Sequence, residues 1–531
     1  MNKVNFHEKG YGGAVVAPCV ECGDRKGWNG MGNDTIGSPC TIAIFGASGD
    51  LTRRKLIPAL YKLFREGVLP ASFAVVGFSN VEIAIDAFRS SMMDAVMEYC
   101  GIEDDAWNAF ASRLFYHSLD FARTGAHREL MRYLEDIEGR FGLPQKRIYY
   151  LAIPPSVFPY VIGMLGEGGL SQERGGSWAR VVVEKPFGRD VASARSLNNA
   201  ISRYFHEHQI FRIDHYLGKE SVQNMLMFRF ANAIFEPVWN RNFIHSVGIL
   251  AAETVGVEHR ALYYEEAGVI RDMFQNHMMQ LLAMTAIEAP SRFEAERVRD
   301  EKVKLFRSLR PFAGGSGGQD VILGQYGAGT IGETSVPAYR EEEGIDVQSL
   351  TPTFAVLKVF IDNWRWQGVP FYLASGKRLH EKKTEIVINF KRVPHSLFRD
   401  VLTEDIEPNR LIFSIQPDER IALTFQGKDP REKLCLRSVK MDFDYYRDYP
   451  GTVFDSYERV LMDVIAGDHM LFWRQDGVEL TWSFLTPIIE FCESCDDRSK
   501  RLFPYPAGSW GPAEAELLMT VYGIKRPERG S

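Results

Sequence analysis

The sequence predicts two unlike halves: a doubly wound parallel sheet near the N-terminus, and a larger, mostly antiparallel sheet with helices on one face, an α+β arrangement. Three observations predict this. A strand-like run, a glycine turn and a helix-like stretch follow one another from Thr41 to Gly67. Strand and helix patterns then alternate over about 150 residues, as repeated βαβ units do. Beyond Val247 the runs become rich in β-branched and aromatic residues, several with period-two alternation, and helices are interleaved with them.

A chain of 531 residues is expected to form two large domains rather than a single core. We divide it into a flexible extension over 1–39, a dinucleotide-type unit over 40–212 and an α+β unit over 213–531. Hydrophobic content of 45% and charged content of 25% are those of an ordinary globular protein. The net charge of −7 gives no general pull toward nucleic acid or acidic membrane, so any anionic ligand must be drawn by local Lys and Arg. No apolar run approaches the ~20 residues of a membrane span, and Met1–Gly13 lacks the apolar core of a signal peptide. The expected compartment is the cytoplasm. Seven cysteines in such a length do not make a disulfide framework. The C-x-x-C pairs Cys19/Cys22 and Cys492/Cys495 lie at opposite ends, whereas zinc needs such pairs to meet. Reduced thiols and no metal are expected.

In order, Thr41–Phe45 reads as a buried parallel strand, and Gly46-Ala47-Ser48-Gly49-Asp50-Leu51 as a phosphate loop. Glycines let backbone N–H groups approach a pyrophosphate, and the helix that follows, marked by Leu56, Leu60, Leu63 and Phe64, adds its N-terminal dipole. Ser48 stands where the usual pattern has a second glycine. Phe73–Phe78 is a second strand, whose end selects the cofactor, an acid favouring NAD and an arginine NADP. Here Ser79-Asn80 offers neither. Helices are predicted over Val81–Gly101 and Asp120–Gly139. Arg147–Ile153 is a third strand, ended by Pro154-Pro155, with Ser156 capping the next helix. Ala179–Val183 is a fourth strand, and Lys185 stands at its carboxyl end, where ligands sit in such sheets.

A predicted helix over Val191–His208 leads to Phe211–Glu220, which reads F-R-I-D-H-Y-L-G-K-E. Four of its ten side chains ionise outright, which argues against a buried strand because unpaired buried charges are costly. The segment is either an anion-gripping site with a carboxylate held ready or a salt-bridged turn. Further strands are predicted at Val247–Thr254, Thr353–Ile361, Thr384–Lys391, Leu411–Gln416, Arg420–Phe425 and Ser438–Phe443, with helices at Met273–Ala286, Asp455–Ala466 and Gly511–Tyr522. Tyr326–Ser349 is polar and irregular, a loop.

Within Gly268–Met284, helical spacing puts Met273, His277, Leu281 and Met284 on one face, which by pattern alone describes a core histidine. Asp272 and Asn276 add polar groups beside it. Asp272 lies five residues from His277, about 140° around a straight α-helix, so the two should not bond along the helix.

R-I-D-H-Y-L-G-K-E resembles the signature of glucose-6-phosphate dehydrogenases, and the resemblance extends through Ile42–Glu66, Arg147–Asp190, Val247–Gln280, Phe371–Phe390 and Leu411–Glu419. It implies a Rossmann-like first half and oxidation of C1 of glucose 6-phosphate to the 6-phosphogluconolactone. His277, in the R-D-(x)4-H segment, is then the general base and Asp214 its partner. His215, Tyr216, Lys219, Lys377 and Lys382 grip the substrate phosphate; Glu253 and Asp272 accept from sugar hydroxyls. Lys185 lies between coenzyme and substrate, and Pro186 matches a cis proline. Gln416 in I-Q-P-D-E also fits the pattern. The coenzyme loop is Gly46–Leu51, with Thr52 in place of a common alanine, and Asn80 stands where the family commonly has arginine. Arg53, Arg54 and Ser48 could supply part of the contact with the extra phosphate; NADP is implied, with NAD use left open. A homodimer or homotetramer is implied too, and the short tail after Trp510 implies no second NADP. Two other readings stand beside this one: a dehydrogenase of an unphosphorylated sugar, and an inactive nucleotide-sensing homologue.

Overall fold

The computed structural model describes residues 37–102, 104–312, 320–398, 406–431, 435–448, 454–494 and 501–523. The expected extension over 1–39 and the Cys19/Cys22 pair fall almost wholly or wholly outside them, as does Cys495.

The first half forms a six-stranded, wholly parallel sheet: β1 Cys40–Phe45, β2 Phe73–Ser79, β3 Leu114–Ser118, β4 Lys146–Leu151, β5 Trp178–Val183 and β6 Ile210–Arg212, in the order β3-β2-β1-β4-β5-β6. β1 and β2 are buried along their whole length, as strands covered on both faces must be. The crossovers carry α1 Ile57–Arg65, α2 Ile85–Cys100, α3 Asp104–Ala111, α4 Ala126–Phe141, α5 Phe158–Glu167 and α6 Val191–Ser202.

Two of these strands run against the sequence reading. β3, with the polar His117 and Ser118 at its end, carries too weak an apolar signal. β6 takes in Phe211 and Arg212, a stretch whose charge argued against a strand. Arg212 is 1% exposed, and the cost of burying it is offset because its guanidinium donates to Glu207 at 2.8 and 3.0 Å and to Asn198 at 3.2 Å. Ser156 does not cap a helix: the chain enters α5 through a 3-10 turn at Pro155–Val157 with no side-chain cap.

The second half is a nine-stranded sheet. Its strands are β7 Ile244–Ala252, β8 Val321–Gly327, β11 Phe354–Val359, β12 Phe371–Gly376, β13 Lys383–Phe390, β14 Arg410–Gln416, β15 Arg420–Lys428, β16 Leu436–Asp444 and β17 Leu502–Pro506, with β9 Gly329–Ile331 and β10 Thr334–Val336 as a separate small hairpin inside the expected loop. The order is β16-β15-β14-β13-β7-β12-β11-β8-β17; only the β7–β12 and β8–β17 pairs are parallel. Alternate residues of β7 face opposite sides: Val247, Ile249 and Ala251 pack against helices, Leu250 and Ala252 against Tyr264, Tyr339, Met519 and Tyr522.

The helices of this half are α7 Glu220–Phe230, α8 Ala261–Val269, α9 Met279–Ala286, α10 Ala295–Arg307, α11 Tyr445–Asp448, α12 Ser456–Ala466 and α13 Gln475–Ser494. The expected helix at Gly511–Tyr522 is instead a series of short turns between Ala513 and Tyr522. One apolar core runs from the first sheet (Ala43, Phe45, Val181) through α7, α9 and α13 to the second (Ile249, Leu357, Ile386). A second core under β1 and α1 is completed by Val460, Leu461, Val464 and Ile465 of α12. Among the described residues no helix is long and apolar enough to cross a membrane.

Candidate active site

The carboxyl ends of β5 and β6 and the helical segment after α8 converge on one imidazole. β6 ends at Arg212, and Asp214 then accepts from the backbone N–H of Tyr216 at 3.0 Å, capping the 3-10 turn His215–Gly218. The same Asp214 Oδ1 lies 2.6 Å from His277 Nδ1, with both residues almost wholly buried. Lys185, at the end of β5 and followed by a cis Lys185–Pro186 bond, places Nζ 3.0 Å from His277 Nε2. The Tyr216 ring stacks on the imidazole at 4.2 Å, and His215 meets it edge-on at 4.7 Å.

Asp272 reaches this cluster for a reason that α-helical spacing conceals. Ile270–Met278 is a π-helix, bonded i to i+5. Five residues then make roughly one turn rather than the 140° of an α-helix, so Asp272 and His277 lie near the same side. Lys185 Nζ contacts both, at 3.1 Å from Asp272 Oδ1 and 3.0 Å from His277 Nε2. The expectation that Asp272 does not bond His277 holds, but the straight-helix geometry behind it does not.

The charges are mutually tuned. Burial alone would raise the Asp214 pKa, yet the charge and hydrogen bond of His277 outweigh it and hold the carboxyl below its ordinary value. Burial likewise opposes ionisation of Asp272, and Lys185 and Lys377 override it, leaving that carboxyl well below the usual range. Burial would lower Lys185, but Asp272 raises it. His215 is pushed down to about 3, first by burial and then by His277. A phosphate dianion beside it would push the other way, toward the imidazolium.

The other expected groups are spread more widely. Lys377 pairs with Glu253 at 2.7 Å, so these two side chains are already engaged with each other. Lys219 pairs with Asp455 at 3.2 Å. Lys382 is exposed and makes no ion pair among the described residues. Gln416 is half-buried at the end of β14 and precedes a cis proline. Three side chains of the site went unnoticed in the sequence. Tyr263 contributes its hydroxyl 3.4 Å from Asp272, Tyr457 stacks parallel to His215 at 6.2 Å, and Asp455 holds Lys219. The D-S-Y-E capping box at Asp455–Glu458 was a readable helix start. Nothing local marked its partner 236 residues away.

The glycine loop lies at the carboxyl end of β1. Gly46 has φ +87°, and a Cβ there would meet the Ala152 carbonyl oxygen at 2.1 Å, so no other residue fits. The N–H groups of Gly46 and Ala47 donate to Phe78 O, and that of Gly49 to Gly46 O. These three bonds shape the turn. Ser48 Oγ lies 2.7 Å from Ser79 Oγ, tying the loop to the end of β2. Asn80, Arg53 and Arg54 are exposed beside it, with Arg54 3.6 Å from Asp50.

Known proteins share this architecture. Residues 43–224 match the model of the glucose-6-phosphate dehydrogenase NAD binding domain, and 226–525 that of the glucose-6-phosphate dehydrogenase C-terminal domain. A glucose-6-phosphate 1-dehydrogenase of Chlamydia pneumoniae is 44% identical over 498 residues, covering 92% of this chain and 96% of that protein. One of Aggregatibacter actinomycetemcomitans is 43% identical over 484 residues, covering 91% and 96%. A solved glucose-6-phosphate dehydrogenase in complex with glucose 6-phosphate superposes with a TM-score of 0.84 at 34% identity, covering 93% of this chain and all of that one. With both halves matched in sequence and in fold, the chain belongs to the glucose-6-phosphate dehydrogenase family.

Proposed function

We propose that this protein is a glucose-6-phosphate dehydrogenase: it oxidises C1 of glucose 6-phosphate to 6-phosphoglucono-1,5-lactone, with NADP as the hydride acceptor. One observation carries the reading: His277 is held between Asp214 on Nδ1 and Lys185 on Nε2 at the carboxyl end of the parallel sheet. An ammonium group only donates, so Nε2 presents its lone pair and Nδ1–H points to Asp214. That tautomer suits a base at Nε2. The C1 hydroxyl replaces Lys185 there, Nε2 takes its proton, and the Asp214 carboxylate stabilises the imidazolium that forms. In this reading Asp272 and Glu253 accept from sugar hydroxyls, and His215, Tyr216, Lys219, Lys377 and Lys382 are assigned to the phosphate.

The loop at Gly46–Leu51, with Asn80 and Lys185, fits a dinucleotide, since its strand–turn–helix geometry and the glycine required at 46 are those of a pyrophosphate cradle. NADP supplies the hydride acceptor when bound. We assign the protein to the cytoplasm, whose reducing conditions suit the free thiols of Cys40, Cys100 and Cys435. We also assign a homodimer or homotetramer, for which Val439 and Met441, 41% and 57% exposed on β16, supply apolar surface.

The test is initial rate with purified protein. Glucose 6-phosphate with NADP should give rapid NADPH formation and glucose almost none. Equal rates with glucose would favour an unphosphorylated-sugar dehydrogenase, and no NADPH at all an inactive homologue.

A further inference from the structure

The first turn of α12 lies against the turn that carries Lys219. A Cβ on Gly218 would sit 2.6 Å from the Ser456 carbonyl oxygen, so the two backbones are in direct contact. At this junction Asp455 uses both carboxylate oxygens. Oδ1 accepts from Lys219 Nζ at 3.2 Å and from the Ser456 backbone N–H at 2.7 Å. Oδ2 accepts from the Tyr99 hydroxyl at 3.3 Å. Tyr99 belongs to α2, the helix that leaves the coenzyme-side strand β2. A second tie runs from Lys62 of α1 to Glu458 at 2.9 Å. One carboxylate thus joins the Lys219 turn, α12 and helix α2 of the first half.

We infer that Asp455 is a positioning residue: it fixes the Lys219 ammonium for the substrate phosphate and ties that grip to the coenzyme half through Tyr99. The inference rests on the proposed reading, in which Lys219 meets the sugar phosphate.

The alternative is that Asp455 merely neutralises Lys219 and competes with phosphate. The bonding pattern decides between them. The carboxylate charge is already shared with Tyr99, with the Ser456 N–H and with the positive end of α12. The ammonium has three N–H donors and spends one here, keeping two for a phosphate. Holding a lysine in place also removes a rotamer cost that substrate binding would otherwise bear. Asp455 therefore orients more than it neutralises.

The test uses the full-length enzyme. Asp455→Asn keeps an oxygen able to cap α12, since Asn is as good an N-cap as Asp, and removes the charge. The expected result is a KM for glucose 6-phosphate raised about tenfold, with kcat within about threefold and Tm nearly unchanged. In a Lys219→Ala background the same change should move KM less than about twofold, because the two residues act as a unit. Tyr99→Phe should leave the Kd of glucose 6-phosphate alone nearly unaltered while weakening it when NADP is bound. An unchanged or lowered KM in Asp455→Asn overturns the inference, as does an equal effect of that change with or without Lys219. Wild-type protein that fails to oxidise glucose 6-phosphate overturns the functional reading instead.

Discussion

Nζ of Lys185 lies 3.0 Å from Nε2 of His277, the ring atom opposite the one that Asp214 holds. The imidazole is thus fixed at both ends by side chains from two different strand ends, and its tautomer follows from what each partner can donate or accept. The atom free to act as a base is the one whose present neighbour is an ammonium rather than a carboxylate.

If His277 Nε2 removes the C1 proton, His277→Asn should lower kcat by 10²-fold or more, the usual worth of a general base. Calorimetric Kd for glucose 6-phosphate should stay within about threefold. Near-normal turnover in this variant would remove His277 from the role.

Lys185→Met should lower kcat at saturating substrate and coenzyme by about tenfold or more. The change deletes the hydrogen bonds to Asp272, which remain once the C1 hydroxyl has taken the place of Lys185 at His277, and charge-assisted bonds of this kind are worth roughly 1.5–3 kcal/mol. It also leaves the buried Asp272 without its nearest cation. Steady-state kinetics with a melting curve would separate the chemical effect from instability; unchanged kcat would show that Lys185 only lines the site.

Asn80 is exposed just past the end of β2, and in the proposed reading it stands where an arginine would grip the extra phosphate of NADP. Asn80→Arg should raise the ratio of kcat/KM for NADP over NAD by about tenfold or more, through a bidentate guanidinium–phosphate contact. A ratio that does not move would place the phosphate elsewhere.

His469 is 8% exposed, and its Nε2–H donates to His208 O at 2.8 Å. Burial, then the nearby Arg299, pushes its pKa down to about 3, against about 6.5 in an unfolded chain. Between those values the unfolded ring takes up a proton that the folded ring refuses. The contribution is therefore full above about pH 6.5 and is lost as pH falls toward 3, at up to about 1.4 kcal/mol per pH unit. Urea titrations from pH 7 to 5 should show His469→Gln losing less stability on acidification than the wild type. Parallel pH dependences would contradict this.

Much of the site was legible because its residues sit in short local strings. Asp214 and His215 share one turn, and Asp272 and His277 share one helix. What stayed hidden was contact rather than identity. The spacing of Met273, His277, Leu281 and Met284 suits an α-helix and carries no mark of i to i+5 bonding. Lys377 pairing with Glu253, and Lys219 with Asp455, depend on elements far apart in the chain. In the fold, long apolar strands such as β1 and β7 announced themselves. β6 was masked by Arg212, whose charge is harmless only because Glu207 and Asn198 stand beside it. β8, β12 and β17 lacked the alternation that marks a half-buried strand.

The closure of the β1–α1 core by α12 bears on how the chain is made. During synthesis the six strands of the first sheet are all available once Arg212 has emerged, yet Val460, Leu461, Val464 and Ile465 appear some 250 residues later. Until then the nascent first half carries an apolar flank without the α12 residues that cover it in the finished fold. A fragment ending near residue 212 should accordingly be prone to aggregate.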